Sequence, residues 1–367
     1  MRLRSIEPIA VSLPMLKPLI MAGETIARAD NVLVRIEADD GLTGWGEAAS
    51  APTMTGETLA SMVAAVQYLA PVLIGREFGD IAGARAVMEA RMYGNNGAKA
   101  AIEIALHDLA GRTTGRPVHA LLGNKHRSRL PILGVIGGGD FDGDLADAAA
   151  KKAKGFTAFK IKVGVDGPEK DAARTRAICE VLGPDCLISA DANQGFAIDQ
   201  AIAFVRAVAD AGLDFLEQPV AGHDLAGMTA VAAATPIAIG ADEGIHSADD
   251  IARHHAQGAA RGVSLKSIKL GGIAGMLDGA RLADDLSMHV NVSCKTGESS
   301  IGCAAALHVA AVMPNVAWGL TLTHTGVAED VTQTPLPVSL GFADLLDAPG
   351  LGITVDEEKV RRFQVSV

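Results

Sequence analysis

The segment FKIKV (residues 159–163) belongs to a series of short apolar stretches that decides the fold. Such stretches, each a candidate β-strand, begin near residues 132, 159, 187, 215, 237, 263, 289 and 316. Helical stretches separate them, and successive starts lie 27, 28, 28, 22, 26, 26 and 27 residues apart. Eight strands alternating with helices at this spacing favour a closed parallel β/α barrel. An open doubly wound sheet is the alternative, but no G-x-G-x-x-G turn follows the first strand.

The residues on either side of this series have different patterns. Strand candidates at 2–12, 31–38 and 42–47 are followed by helix candidates at 57–73, 80–93 and 98–114. We therefore predict an α+β capping domain over residues 1–125 and a catalytic barrel over residues 126–330. Residues 331–367 have little room in the barrel, so we expect this C-terminal segment to return to the capping domain and complete it.

The composition is that of an ordinary folded protein. The 367 residues are 49% hydrophobic and 20% charged, with a formal net charge of −11. Nucleic-acid binding would need a basic stripe, which this acidic sequence lacks, and no apolar run reaches the length of a membrane helix. The four cysteines have no C-x-x-C spacing. This argues against a zinc knuckle or a disulfide framework and favours a reducing, cytoplasmic location.

Three lysines lie where the barrel strands are predicted to end. Lys160 and Lys162 are two residues apart on the second strand, so both side chains point to the same face. Lys266 lies on the sixth strand. A solvated edge strand would also carry lysines, but the neighbours Phe159 and Ile161 argue against an exposed edge. Inside a barrel, these ammonium groups need carboxylates as partners.

Three carboxylates meet that need. Asp191, Glu217 and Asp242 follow three successive strands, and active sites of such barrels lie at the strands' C-terminal ends. Each acid alone could simply cap the helix that follows it. Together they form a set of hard oxygen ligands without His or Cys, which favours Mg²⁺, with Mn²⁺ as a close substitute.

Lysines beside a metal-bound acid suggest a specific chemistry. A second cation and partial burial lower the pKa of an ammonium group, so we expect one lysine to be basic near neutral pH. Lys162 and Lys266 would face each other, one on each side of the substrate. This arrangement favours removal of a proton α to a carboxylate, with an ene-diolate intermediate stabilised by the metal.

The motifs in their order resemble the enolase superfamily, specifically its muconate lactonizing enzyme subgroup. They are K-I-K, D-A-N-Q, E-Q-P, D-E, L-K-S-I-K-L-G-G, the helix A-K-A-A-I-E-I-A-L-H-D-L-A-G and the segment G-E-S-S-I-G. The resemblance implies a modified TIM (β/α)7β barrel with an α+β capping domain. It also implies roles for eight residues: Asp191, Glu217 and Asp242 as Mg²⁺ ligands, Lys162 and Lys266 as acid/base residues, Lys160 as the group that polarises the carboxylate, and Asn193 and Glu243 near the metal.

The resemblance leaves the substrate open. The mandelate racemase subgroup has a His base near the end of strand seven, whereas His289 starts that strand here. Dipeptide epimerases carry Asp-x-Asp where this chain has Thr321-Leu322-Thr323, which favours a neutral or anionic far end of the substrate. Lys295 is a candidate cation at the barrel mouth. Glu298 is either a substrate-facing acid or a carboxylate that favours a helix N-terminus.

We therefore expect an isomerase that acts on a small carboxylate. A muconate cycloisomerase-like, lactonizing activity is the leading interpretation. Racemisation or epimerisation of an amino-acid derivative is the second and acid dehydration the third, while a catalytically inactive binding protein would be free to lose the lysines and the carboxylates. We also expect a homo-oligomer, and specificity loops near residues 15–30 and 50–57, where Met15, Met21 and Met54 could form an apolar roof.

Overall fold

The N-terminal part of the chain is an antiparallel sheet covered by helices. The structure, a computed structural model, describes residues 1–22, 24–138 and 140–367. The sheet has the order β1-β2-β3. Its strands and helices are β1 (Leu3–Met21), β2 (Glu24–Ala38), β3 (Thr43–Ala49), α1 (Leu59–Leu73), α2 (Ile81–Arg91) and α3 (Asn96–Thr114). Helix α3 is buried along most of its length, because it lies between this sheet and the barrel.

The β1–β2 hairpin is longer than the sequence predicts. The expected strand ended at residue 12, whereas β1 continues to Met21, with a register shift between Pro14 and Leu19. Prolines interrupt a central strand but are tolerated at an edge, and β1 is an edge strand. The extension carries the hairpin beyond its own sheet, and Met15 on it pairs with Val327, which follows the last barrel strand.

Eight parallel strands form the barrel that the spacing predicts. They are β5 (Leu133–Ile136), β6 (Ala158–Lys162), β7 (Leu187–Asp191), β8 (Phe215–Glu217), β9 (Ala238–Ala241), β10 (Gly262–Leu265), β11 (His289–Ser293) and β12 (Leu320–Thr321), after a short β4 (Arg129–Pro131) outside the barrel. Each strand pairs with the next, and most of their residues are buried on both faces. Such strands need apolar side chains throughout, as their sequences show.

Helices follow the strands and cover the outside of the barrel. They are α5 (Phe141–Ala153), α6 (Pro168–Leu182), α7 (Ile198–Ala207), α8 (Leu225–Ala233), α9 (Ala248–Ala256), α10 (Ser267–Leu270), α11 (Ile273–Asp285) and α12 (Ser300–Val312). The last strand begins at Leu320 rather than near residue 316. The preceding segment turns inward instead, because the Trp318 ring stacks on Phe215 with centroids 4.0 Å apart.

The remaining elements lie just before the barrel or after its last strand. They are α4 (Val118–Leu122), β13 (Val338–Ser339), β14 (Phe342–Asp344) and α13 (Glu357–Phe363). β13 and β14 form a small sheet with β4, and α13 contacts β1. Near the C-terminus, the backbone N–H of Val365 donates to Ala10 on β1, so the chain end lies on the N-terminal sheet. The domain boundaries at residues 125 and 330 stay a prediction. Among the described residues, every helix is too short or too polar to cross a membrane.

Candidate active site

Two strands on opposite sides of the barrel carry the lysines. Lys160 and Lys162 lie on β6 with both side chains pointing inward and buried. Lys266 follows β10 directly and is 5% exposed. Four positions separate β6 and β10 in the eight-stranded order, so they face each other across the barrel. The structure thus brings the three predicted lysines into one site from opposite walls.

The predicted carboxylates lie between those walls. Asp191 ends β7 and Glu217 ends β8, and the two residues are register partners on neighbouring strands. Asp242 comes directly after β9. All three are at most 2% exposed. The β/α alternation therefore places three carboxylates, from three successive strands, at one rim of the barrel.

Each carboxylate forms an ion pair with a lysine. Lys162 Nζ donates to Asp191 Oδ2 and to Asn193 Oδ1, both at 2.7 Å. Lys160 donates to Glu217, and Lys266 donates to Asp242. The amide of Asn193 in turn donates to Glu243 Oε1 at 3.0 Å. Asn193 and Glu243, which the resemblance places near the metal, thus belong to the same hydrogen-bond network.

The charges in this network shift one another's pKa values. Burial raises the pKa of Asp191 and Asp242, but contacts with the lysines outweigh burial and lower both pKa values. Burial alone would likewise lower the pKa of Lys160 and Lys266, but the facing carboxylates raise both. For Lys160 and Lys266 the pKa shift is opposite to the lowering that we expected for one of the lysines, since each ammonium contacts a carboxylate directly.

A fourth lysine in the site was missed from the sequence. Lys269 is fully buried on α10, and its Nζ donates to Asp242 Oδ1 at 2.6 Å. It also donates to the carbonyl oxygens of Asp242 at 2.5 Å and Ser264 at 2.9 Å. The strand period cannot reveal it, because Lys269 lies beyond the strand. The sequence signal that could have revealed Lys269 is its distance of three residues from Lys266, which places both side chains on one side of a helical turn.

The donor set fits a hard divalent cation. Carboxylate oxygens are the ligands that Mg²⁺ and Mn²⁺ prefer. Glu243 Oε2 is buried and has no hydrogen-bond partner among the described groups, and burial beside Asp242 and Asp191 raises the pKa of Glu243 to about 7. Within residues 1–22, 24–138 and 140–367, no group of three or more His, Cys, Asp or Glu side chains is already arranged to hold a metal ion. Asp191, Glu217 and Asp242 each accept a hydrogen bond from a lysine in this structure.

A cavity of about 520 Å³ opens above these residues. Its lining includes Lys160, Lys162, Lys266, Asp191 and Glu243. The β1–β2 hairpin contributes Met15, Leu19 and Met21, and the loop after β3 contributes Met54. The two specificity loops named from the sequence therefore do lie over the barrel mouth, with apolar side chains toward the cavity.

Lys295 and Glu298 occupy different surroundings. Lys295 is 5% exposed and lines the cavity just after β11, whereas His289 starts that strand at its other end. Glu298 is 1% exposed and is absent from the described cavity lining. Neither carboxyl oxygen has a well-formed hydrogen bond among the described groups, although the Cys294 thiol lies beside the carboxyl group. Burial, with Cys303 and Glu47 nearby, raises the pKa of Glu298 well above its usual value.

Two buried glutamates of the N-terminal part also escaped the sequence analysis. Glu47 on β3 accepts hydrogen bonds from the backbone N–H groups of Ser299 and Gly302, at the start of α12. Glu103 on α3 accepts from Ile273 at 2.8 Å and Ala274 at 2.9 Å, at the start of α11. These tertiary helix caps join the two parts of the molecule, and no local pattern marks them. We call them, with the residues they contact, the cap–barrel joint.

Two family models together match most of the chain. The mandelate racemase/muconate lactonizing enzyme N-terminal domain matches residues 6–123, and the enolase C-terminal domain-like model matches residues 144–359. A chloromuconate cycloisomerase from Pseudomonas putida is 33% identical over 371 residues, covering 99% of each chain.

Solved structures agree with this match. A muconate lactonizing enzyme from Pseudomonas fluorescens, complexed with muconolactone, has a TM-score of 0.95 and 31% identity over 99% of each chain. A dipeptide epimerase from Enterococcus faecalis, complexed with Mg and the dipeptide L-Leu-L-Tyr, has a TM-score of 0.91 and 30% identity. It covers 96% of this chain and 100% of that one. The chain is therefore an isomerase of the enolase superfamily and belongs to its mandelate racemase/muconate lactonizing enzyme family.

Proposed function

We propose that this enzyme removes a proton α to a carboxylate and acts as a muconate cycloisomerase-like, lactonizing enzyme. One observation carries the proposal: Lys162 and Lys266 reach one cavity from opposite walls of the barrel. A substrate held between them presents each face of its α-carbon to one ammonium or amine. Lactone formation and its reversal need a proton delivered to, or removed from, one such face.

The position of each lysine in the cavity determines its role in the reaction. Lys162, held by Asp191 and Asn193, moves a proton between its Nζ and the substrate carbon. Lys266 does the same or holds its proton on the other face. Lys160 lies deeper on β6 and neutralises the substrate carboxylate, which stabilises the negative charge that develops there.

Asp191, Glu217 and Asp242 would hold the Mg²⁺ or Mn²⁺ ion, with Glu243 and Asn193 beside them. A divalent cation held by these residues would stabilise negative charge on the substrate carboxylate and so make the neighbouring C–H group more acidic. The lysines that contact these carboxylates keep the site electrically balanced.

The charges of the cavity wall support an anionic or neutral far end of the substrate. In the described lining, the only carboxylates are Asp191 and Glu243, and both belong to the catalytic end. The other charged lining residues are lysines, among them Lys17 on β1 and Lys295 just after β11. A substrate ammonium there would meet cations, which costs binding free energy, whereas a second carboxylate would be attracted. This favours a diacid over a dipeptide.

The test is turnover of cis,cis-muconate in the presence of Mg²⁺, followed by loss of the diene absorbance and by NMR of the lactone. We expect turnover that disappears on exhaustive chelation and returns with Mg²⁺ or Mn²⁺. Lys295→Ala should raise KM for a diacid more than for a monoacid of equal length. Full activity after chelation would exclude the metal-dependent mechanism.

Racemisation or epimerisation of an amino-acid derivative is the second candidate, and the facing lysines favour it as well. Its distinctive result is exchange of the α-proton of N-acyl amino acids with deuterated solvent. A racemase would lose exchange of one enantiomer in Lys162→Ala and of the other in Lys266→Ala, whereas a cycloisomerase would show no reciprocal pattern. Acid dehydration, the third candidate, would release a keto acid from a hydroxy acid.

We further propose that the enzyme is a cytoplasmic homo-oligomer with the domain division given above. Free thiols at all four cysteines support a reducing compartment. Light scattering coupled to gel filtration tests the assembly, and limited proteolysis near residues 125 and 330 tests the division.

A further inference from the structure

The barrel is not sealed between its first and last strands. β12 has two residues, and among the described residues its pairing toward the first strand is one isolated bridge, from Leu320 to Ile132, the residue just before β5. Beyond this bridge, the Val135 carbonyl on β5 accepts a hydrogen bond from Lys151 Nζ of α5 at 3.0 Å. A side chain from outside the barrel therefore reaches the edge of the first strand, and a seam remains between β5 and the chain that follows β12.

The catalytic cavity extends through this seam. Val135 is the register partner of Lys160, so this part of β5 lies beside the catalytic lysines. The preceding residue, Gly134, faces the outside of the barrel. A Cβ atom built on it would lie 3.0 Å from the Phe156 ring and 3.2 Å from the Lys151 side chain. The same continuous cavity is lined by Lys160 inside the barrel and by Phe156 and Val338 outside it. We call the outer portion, bounded by Val135, Lys151, Phe156, Leu322 and Val338, the side arm.

We propose that the side arm binds an uncharged, apolar substituent of the substrate, such as an alkyl, aryl or halogen group. The proposal rests on the proposed function in one respect, namely that a carboxylate of the substrate lies at the catalytic end. Phe156, Leu322 and Val338 present apolar surface. The charge of Lys151 is already balanced by Asp147 and by the Val135 carbonyl. A charged substituent would lose hydration there without a matching partner, whereas an apolar one would gain from burial.

The first experiment measures affinity and needs no turnover. Isothermal titration calorimetry of the intact enzyme in Mg²⁺ buffer is carried out with straight-chain monocarboxylic acids from butanoate to decanoate. Each methylene that enters the side arm should tighten binding by about fourfold until the arm is filled. An affinity that does not change with chain length, including no binding of any acid, would overturn the proposal.

Variants of the side arm test whether the increase in affinity with chain length arises there. Val338→Trp fills the arm and should abolish the increase with chain length, while Ser339→Trp, the next residue on β13 with its side chain on the opposite face, should keep it. Phe156→Leu enlarges the arm and should move the longest tight-binding acid to a greater length, which keeps the test decisive if Val338→Trp does not fold. If affinity rose equally with chain length in Val338→Trp and Ser339→Trp, the alkyl chain of the acid would lie beneath the apolar roof of Met15, Met21 and Met54. That result would refute binding in the side arm.

Turnover distinguishes this proposal from the proposed function. If alkyl acids bind with the expected increments but muconate is not converted, the cycloisomerase assignment fails and the side arm stands. If muconate is converted while affinity ignores chain length, the side arm fails and the assignment stands.

Discussion

The barrel mouth and the cap–barrel joint both bury carboxylates, but they give them different partners. At the mouth, Asp191, Glu217 and Asp242 face lysine ammonium groups. At the joint, Glu47 and Glu103 accept from backbone N–H groups at the starts of α12 and α11, and Glu103 also pairs with His107 of its own helix. Burial is nearly complete in both places. What differs is the partner that the barrel supplies: a lysine side chain that can move and give up a proton at the mouth, and a backbone N–H group at the joint.

This difference separates catalysis from assembly. A lysine can change rotamer, exchange a carboxylate for a substrate or a metal-bound group, and lose its proton. A helix N-terminus can do none of these, because its N–H groups are fixed by the helix itself. Substitutions at the mouth should therefore change rate more than stability, and substitutions at the joint should do the reverse.

The largest expected effect is at the two facing lysines. Lys162→Ala and Lys266→Ala should each reduce kcat by roughly 10³-fold or more, equivalent to about 4 kcal/mol of transition-state stabilisation. Thermal unfolding should change much less, since the variants keep the apolar barrel core. Steady-state kinetics and calorimetry on the same preparations measure both quantities. Wild-type turnover in both variants would remove the lysines from the mechanism.

The mouth was largely predictable from the sequence for a physical reason. Strand period and β/α alternation are local signals, and in a parallel barrel they fix which residues reach one rim. Lys160, Lys162 and Asp191 therefore come together as the pattern indicates. Lys269 escaped because it reaches Asp242 from the helical turn that follows the strand. The electrostatic surroundings of Glu298 could not be foreseen, because Glu47, whose charge raises the pKa of Glu298, is 251 residues earlier in the chain.

The next largest effect should come from the joint. Glu103→Gln places an amide –NH₂ against the N–H groups of Ile273 and Ala274. Burial opposes ionisation of Glu103, but the charge and hydrogen bond of His107 outweigh it and lower its pKa, so the wild-type side chain is a carboxylate. Unpaired buried donors should cost about 3 kcal/mol of unfolding free energy, measured by urea denaturation.

Glu357→Gln is the matched control, because Glu357 is about half exposed on α13. It should change the unfolding free energy by less than about 0.5 kcal/mol. If Glu103→Gln instead lowered kcat strongly at unchanged stability, the division between the two regions would be wrong.

Lys269 tests the boundary between the regions, since it is a buried, fully bonded lysine at the mouth. Lys269→Met should leave Asp242 Oδ1 without its ion pair, with Lys266 still holding Oδ2, and should weaken Mg²⁺ binding by up to about hundredfold, the size typical of groups that orient metal ligands. Calorimetric titration with Mg²⁺ measures this without reference to activity. Lys17→Met, a change at the cavity rim, serves as the control. Unaltered Mg²⁺ affinity would show that Asp242 is held without Lys269.

The smallest expected effect is a loss of unfolding free energy at acid pH. It arises at a buried histidine pair. His119 of α4 and His308 of α12, the helix whose start Glu47 caps, stack with ring centroids 5.3 Å apart. The backbone N–H of His119 points at His308 Nδ1, at 3.3 Å, and His308 Nε2 lies 3.1 Å from the Leu351 carbonyl. His308 must therefore donate through Nε2 and accept at Nδ1, so its ring is neutral. A proton on Nδ1 would meet a donor.

Burial accordingly lowers the pKa of His308 from 6.5 to about 4, with His119 adding to the effect. Between these two values the unfolded chain binds more protons than the folded one, so the stabilising contribution is complete above about pH 6.5 and is lost as the pH falls toward 4. The loss between pH 7 and pH 5 should be about 2 kcal/mol. Asp191 and Asp242 stay ionised over this range because their pKa values are lowered, whereas Glu243, with a pKa raised to about 7, gains a proton as the pH falls. His308→Gln retains a donor for the Leu351 carbonyl but cannot titrate. Urea denaturation at pH 7 and pH 5 should therefore show a smaller pH dependence in this variant, and an identical dependence in both proteins would place the acid sensitivity elsewhere.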